Sequence, residues 1–231
     1  PGLENPLVPN PADDHDGDTD ALLVDGELFV YYILGGTSVH TSYVQLMRSP
    51  DGVRWTGPET VLTAPDYLLS PTFLKEGDAV YGWYVSSPGC SAVYSTVHRR
   101  VSPDGIAWGP EEDVEMPLPG HVIWHIDIRP TPEGYAMVVA AYPEGTGCGN
   151  CSLYYAWSAD GLTWSVDPRP LLAPNPFGWD NGCIYRATFL QEGDVLSIWY
   201  SARNTNGSWR VGYTEGTLET FWSQDLYSVW D

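Results

Sequence analysis

A short phrase recurs along this chain and constrains its architecture more than any other feature. Ser49-Pro50-Asp51-Gly52-Val53-Arg54-Trp55 returns as Ser102-Pro103-Asp104-Gly105-Ile106-Ala107-Trp108 and as Ser158-Ala159-Asp160-Gly161-Leu162-Thr163-Trp164, with starts 53 and 56 residues apart. A degraded fourth copy, Thr214-Glu215-Gly216 followed by Phe221-Trp222, keeps the interval. A second marker runs in phase: Asp25-Gly26, Glu76-Gly77, Glu133-Gly134 and Glu192-Gly193 each separate two apolar runs. Two markers in one rhythm mean a single supersecondary unit used four times. A period near 50 residues is that of a propeller or a solenoid.

Each unit reads as four strands. In the first, Ala21 to Val24 leads through Asp25-Gly26, a strong hairpin dipeptide, into Leu28 to Leu34. Tyr43 to Arg48 follows, then the Ser-Pro-Asp-Gly turn, Trp55 and a strand near Thr60 to Thr63. These segments are rich in Val, Tyr, Trp and Ile and bounded by Gly, Pro and Asp, as pleated half-buried surfaces require. No stretch has a helical apolar period. The expected fold is therefore all-β: a closed propeller of four blades, each of four antiparallel strands. The expected division is an extended Pro- and Asp-rich arm over 1–17 and a propeller over 18–231, with blades near 18–66, 67–119, 120–174 and 175–231.

The phrase has a local cause. Ser and Asp side chains bond back to nearby amides and hold a tight turn, and Gly supplies positive φ. The Trp then opens the outer strand and offers a large apolar area to the gap between blades. Trp55, Trp108 and Trp164 are expected at equivalent inter-blade positions.

Phrase, placement and acidic-Gly hairpin together resemble the glycoside hydrolase propellers of families 43, 32 and 68, the arabinanase, xylosidase and invertase-like enzymes. The phrase also resembles the Asp-box of sialidases, one residue shorter. The resemblance covers roughly residues 18 to 231. Those enzymes have five blades where four are counted here, so a five-bladed propeller is the alternative. The resemblance implies three convergent carboxylates in the central funnel, at the starts of the innermost strands: an Asp base or nucleophile, a tuning Asp and a Glu acid. Two carboxyls with pKa values pushed apart across a glycosidic bond are what such chemistry needs. Asp20 or Asp18 matches the blade-one Asp. Blade two offers Ser70-Pro71 at the tuning position, with Asp66 nearest. Blade three offers His125 and Asp127, and Glu144 is the reachable acid. The catalytic candidates are thus Asp20, Asp127 and Glu144. The ligand-binding candidates are Asp18, His125, Arg186, Trp124 and Trp179, the two Trp rings being placed to stack on sugars at the funnel mouth. The competing reading makes Asp127 and Arg186 a buried ion pair and the aromatic residues blade packing.

Composition bounds the partners. Net charge is −20, with 30 acidic residues against 10 basic ones, of which Lys75 is the single Lys. That excludes nucleic acid and anionic membrane surfaces, and no run is long and apolar enough to insert in a membrane. The first residue is Pro1, which reads as a processed or excerpted chain. Asp13-Asp14-His15-Asp16-Gly17-Asp18-Thr19-Asp20 gathers five carboxylates in eight residues. It is either a solvated acidic segment or a Ca²⁺ site built from Asp14, Asp16, Asp18 and Asp20.

Cys90, Cys148, Cys151 and Cys183 fall in loops that open on one face of a propeller. Of the three full pairings, Cys90–Cys148 with Cys151–Cys183 joins neighbouring blades and is favoured. Zinc would need a second Cys pair beyond Cys148-x-x-Cys151, and a thioredoxin-like site would need a βαβ context. Disulfides point to an extracellular protein or one on a cell or virion surface, and Asn150-Cys151-Ser152 and Asn206-Gly207-Ser208 match glycosylation acceptors that matter only in a eukaryotic source. Three function classes fit: a non-catalytic propeller recognising carbohydrate or glycoconjugates, a glycoside hydrolase, or a structural or adhesive subunit that self-assembles through its N-terminal arm.

Overall fold

The computed structural model describes residues 7–8, 14–36 and 41–223, with the side chains of 14–16 outside that description. Among these residues the chain is an all-β, four-bladed β-propeller fold. Blade one is β1 (Asp14–Val24), β2 (Glu27–Gly36), β3 (Ser42–Ser49) and β4 (Thr56–Ala64), hydrogen-bonded in that order. Blade two is β5 (Tyr67–Glu76), β6 (Ala79–Ser87), β7 (Thr96–Ser102) and β8 (Glu112–Val114). Blade three is β9 (His121–Thr131), β10 (Gly134–Pro143), β11 (Ser152–Ser158) and β12 (Ser165–Val166). Blade four has three described strands, β13 (Cys183–Glu192), β14 (Val195–Arg203) and β15 (Trp209–Thr217).

Two sequence readings are corrected here. The degraded fourth phrase is no turn: Thr214 to Gly216 lie inside β15, and Phe221 and Trp222 sit on a short helix, α1 (Leu218–Ser223). Without the Ser and the Asp, nothing captures the amides that would otherwise turn the chain. The first strand also begins at Asp14, pairing Asp14 with Gly36 and Gly17 with Ile33, so residues 14–17 belong to blade one.

The three intact phrases form the same hydrogen-bond device. Ser49 Oγ accepts from the Gly52 amide at 2.8 Å, and Asp51 Oδ1 accepts from the Val53 and Arg54 amides at 2.9 and 2.8 Å. Ser102 with Asp104, and Ser158 with Asp160, repeat these bonds within 0.1 Å. The amides three and two residues on hold each Asp below the usual carboxylate range. The three Gly residues take φ of +71°, +75° and +72°, the left-handed region that Gly enters without a Cβ penalty.

The chain divides into two compact units, Pro1–Ser86 with His98–Glu112, and Ser87–Val97 with Asp113–Asp231. In the first, Tyr31 of β2 stacks on Phe73 of β5 at 3.9 Å, and Trp108 packs against Phe73 at 5.4 Å. Tyr31 is fully buried and its hydroxyl donates to the Gly105 carbonyl at 2.9 Å, so the blade-two turn is tied to blade one. Trp108 thus plays the expected inter-blade role. Trp164, in the second unit, is also buried, its amide donating to Glu115 O. Trp55 is half-buried and its Nε1 turns back to the Gly52 carbonyl of its own phrase.

In the second unit Cys90 and Cys148 form the favoured disulfide, closing 58 residues. The other expected bridge is corrected: Cys151 and Cys183 are buried thiols. They touch, and both sulfurs approach the Cys148 carbonyl, at 3.3 and 3.7 Å. The hydrogen bond to Cys183, and then burial, push the Cys151 thiol up. No described helix is long and apolar enough to cross a membrane.

Candidate functional site

All four innermost strands are irregular near their starts, where sequence reasoning had placed the site. The β1 register slips between Gly17 and Asp20, with Asp18 at φ +49°; in β5, Ser70 has φ +47°. The β9–β10 ladder slips at Trp124, and the β13–β14 ladder slips across Tyr185 and Arg186. A bulge breaks the two-residue alternation and re-aims side chains, and a non-Gly residue held at positive φ is strained. Four such breaks at corresponding places mark this end of the inner strands as specialised.

In the first unit the breaks put Asp18 and Asp20 against the next blade. Asp18 Oδ2 accepts from the Ser70 amide at 2.8 Å. Asp20 Oδ2 accepts from the Phe73 amide at 2.7 Å while its Oδ1 accepts from the Ala21 amide at 2.9 Å. Both carboxylates therefore bind β5 backbone. The Asp14 and Asp16 side chains lie outside the described residues.

The second unit repeats the device with an added cation. Asp127 of β9 is buried, and its Oδ2 accepts from Thr188 Oγ1 at 3.1 Å and the Phe189 amide at 3.3 Å on β13. Arg129, two residues on, lies on the same face of the strand. Its Nη1 donates to Asp127 Oδ1 at 3.2 Å, its Nη2 to Thr188 Oγ1 at 2.8 Å and its Nε to the Phe189 carbonyl at 3.0 Å. Asp127 and Arg129 together grip both polar groups of the Phe189 backbone, so side chains do the work of a ladder between blades three and four. Sequence reasoning missed Arg129. The signal was available: Asp-x-Arg on one strand puts the two charges side by side.

Above this clasp lies an aromatic group. Trp124 Nε1 donates to the Tyr185 hydroxyl at 2.9 Å. The His125 ring meets Tyr185 edge-on at 4.4 Å, and Tyr185 meets Trp209 at 5.2 Å. His125 and Trp124 are buried, whereas Trp209 is 51% exposed. The ring open to a ligand is thus Trp209, which sequence reasoning missed because it belongs to the outer strand β15. Trp124 reaches it through Tyr185, whose hydroxyl it bonds and whose ring meets Trp209. Arg203 extends over the Trp209 ring at 5.8 Å. The half-buried Arg186 exchanges backbone bonds with Ser201 Oγ beside the bulge. Trp179 is elsewhere, stacked at 5.8 Å on Tyr200, whose hydroxyl donates to buried Asp180. Glu144 is exposed in the turn after β10, its amide bonded to Gly120 O.

No family model and no curated protein sequence matches the chain. Solved structures do. An N-acetylgalactosamine deacetylase from F. plautii, solved with blood group B trisaccharide, aligns with a TM-score of 0.84 at 23% identity, over 95% of this chain and 77% of that one. In fold, the chain resembles the glycoside hydrolase propellers. The α-L-arabinofuranosidase of Lactobacillus brevis aligns at 0.70 and 15% identity, over 98% and 72% of the two chains. The endo-arabinase of Bacteroides thetaiotaomicron aligns at 0.66 and 14%, over 87% and 75%.

Proposed function

We propose that this protein recognises carbohydrate outside the cell, through the aromatic group of blades three and four, and does not hydrolyse it. The observation that supports this best is the engagement of Asp127. A carboxylate that accepts from a guanidinium, a hydroxyl and a backbone amide is held ionised and has no proton to donate. Trp209 supplies an exposed ring for a sugar face, while Arg186 and His125 are the polar groups proposed to orient hydroxyls. Asp18 and Asp20 belong to the proposal as residues that shape the β1 bulge. A Ca²⁺ ion at Asp14, Asp16, Asp18 and Asp20 remains a proposal; it would have to share carboxylates that already accept from Ser70 and Phe73. The Cys90–Cys148 bridge supports an oxidising, extracellular setting.

A second reading, turnover of a glycan, is favoured by the fold neighbours, among them a deacetylase and arabinan-active enzymes. It would use Asp20 as base or nucleophile. One experiment separates the two. The protein is titrated with blood group B trisaccharide and arabino-oligosaccharides, and the same mixtures are assayed for released acetate and reducing sugar. Binding lost in Trp209→Ala without product supports recognition. Product formation abolished by Asp20→Asn supports catalysis and overturns the first reading.

A further inference from the structure

At the far end of β9 from Trp124, the second unit holds a cleft of about 560 Å³ that the reading above does not use. Three features of blades three and four line it: the β9–β10 hairpin with Glu133, the β11 strand with Tyr155 and Trp157, and the β13–β14 hairpin with Gln191 and Asp194. Its size is that of a small-ligand site.

Its chemistry is specific. Tyr155 and Trp157 stand two apart on β11, so they share a face, with ring centroids 6.5 Å apart and planes 27° from parallel. Their rings are near-parallel neighbours on one wall of the cleft. Tyr155 is buried and its hydroxyl donates to Gln191 Oε1 at 3.0 Å, which fixes the amide at the cleft wall. The Gln191 Nε2 is turned to the Gly193 carbonyl at 3.2 Å. Trp157 is 49% exposed. The Glu133 and Asp194 carboxylates are exposed at the two hairpin tips.

The repeat shows that Trp157 is not scaffold. It immediately precedes the Ser of the third phrase, where the first and second copies have Arg48 and Val101. The turn recurs in all three copies; the half-exposed indole occurs in one. A large ring left in water at a unique repeat position, beside acceptors on rigid hairpins, is the composition of a sugar-binding surface: the ring takes the apolar face of a pyranose, and carboxylates and amide take its hydroxyls.

We infer that this cleft is a second saccharide site, for short oligosaccharides of neutral or amino sugars, with Trp157 as the stacking ring and buried Tyr155 holding the wall beside it. Two carboxylates at the rim disfavour uronic acids. The inference does not rest on the Trp209 reading, because the cleft lies at the other end of β9.

The test is intrinsic fluorescence and calorimetric titration of the full chain with three probes: xylohexaose, a glucosamine hexamer and hexagalacturonate. Either of the first two should bind, and hexagalacturonate should not. Trp157→Ala should weaken binding by about tenfold or more, as loss of a central aromatic anchor does, while Trp157→Phe retains most of it. Trp157→Ala should weaken binding by the same factor in a Trp209→Ala background, which separates this site from the other. Glu133→Gln with Asp194→Asn should admit hexagalacturonate. Absence of binding by both favoured probes, or equal binding by the parent and Trp157→Ala with unchanged melting temperatures, overturns the inference.

Discussion

Removing Asp127 should destabilise the protein before it affects any activity, and the clasp allows the size to be worked out. Asp127→Ala deletes the acceptor for Thr188 Oγ1 and the Phe189 amide and leaves Arg129 without its close carboxylate. Breaking one side of a buried pair costs about 3–5 kcal/mol. Here the side chains are 9% and 26% exposed, so water reaches the orphaned guanidinium and the cost falls below that of a fully buried pair, to about 2–4 kcal/mol. For a chain of this length that is a fall in melting temperature of roughly 5–15 °C. Arg129→Ala should cost about as much, because it strands a buried carboxylate, frees the Phe189 carbonyl and removes the stem over the Phe189 ring. The double variant should cost less than the sum by about 1–2 kcal/mol, since neither charge is then left behind. Scanning calorimetry with urea unfolding of the parent, both single variants and the double variant measures the cycle. Single variants within 2 °C of the parent, or additive losses, would refute the clasp. An Asp127→Asn variant that melts like the parent but loses a measured turnover would make Asp127 a proton donor instead.

Four further outcomes follow from contacts elsewhere in the chain. Gly52→Ala and Gly105→Ala force the same left-handed backbone, at φ +71° and +75°, and each should cost about 1 kcal/mol for that alone. Only at Gly105 does the added carbon fall 2.6 Å from the Tyr31 hydroxyl, so urea unfolding should find Gly105→Ala clearly worse and Gly52→Ala near the backbone figure. Asp51, Asp104 and Asp160 have folded-state pKa values below the unfolded ones, so their contribution is full above about pH 4 and lost as pH falls through the depressed values. Replacing all three with Asn should flatten the acid limb of melting temperature against pH, and an unchanged limb would show that other carboxylates control it. Thiol titration in denaturant without reductant should return two thiols, Cys151 and Cys183; four would remove the Cys90–Cys148 bridge, and none would mean that the touching pair has joined. That bridge, closing 58 residues, should contribute about 4 kcal/mol on the chain-entropy account, so its reduction should lower the melting temperature.

The candidate site was half legible in the sequence. The inner strands were recognised from the repeat, although each begins two to four residues before the start read for it, and Asp18, Ser70, Trp124, Tyr185 and Arg186 do sit at strand irregularities. Partners were not legible. Asp20 meets Phe73 and Asp127 meets Phe189 across separations of 53 and 62 residues, which no local pattern encodes. Trp209 and Trp157 both lie on strands outside the inner ring, where a sequence reading expects packing.

The sequence by itself determined the blade plan, because everything that specifies it is short-range. Each Ser-x-Asp-Gly turn satisfies its own amides within five residues, and each acidic-Gly hairpin pairs strands adjacent in the chain. Where the local donors and acceptors are missing, as after Thr214, the same reading fails and β15 runs on into α1. Tertiary structure decided which carboxylates are committed to holding neighbouring blades and which thiols stay reduced. It also decided which rings stay in water. Those outcomes depend on burial and on partners roughly a blade's length of chain away, and only the packed blades bring such groups to within hydrogen-bond distance.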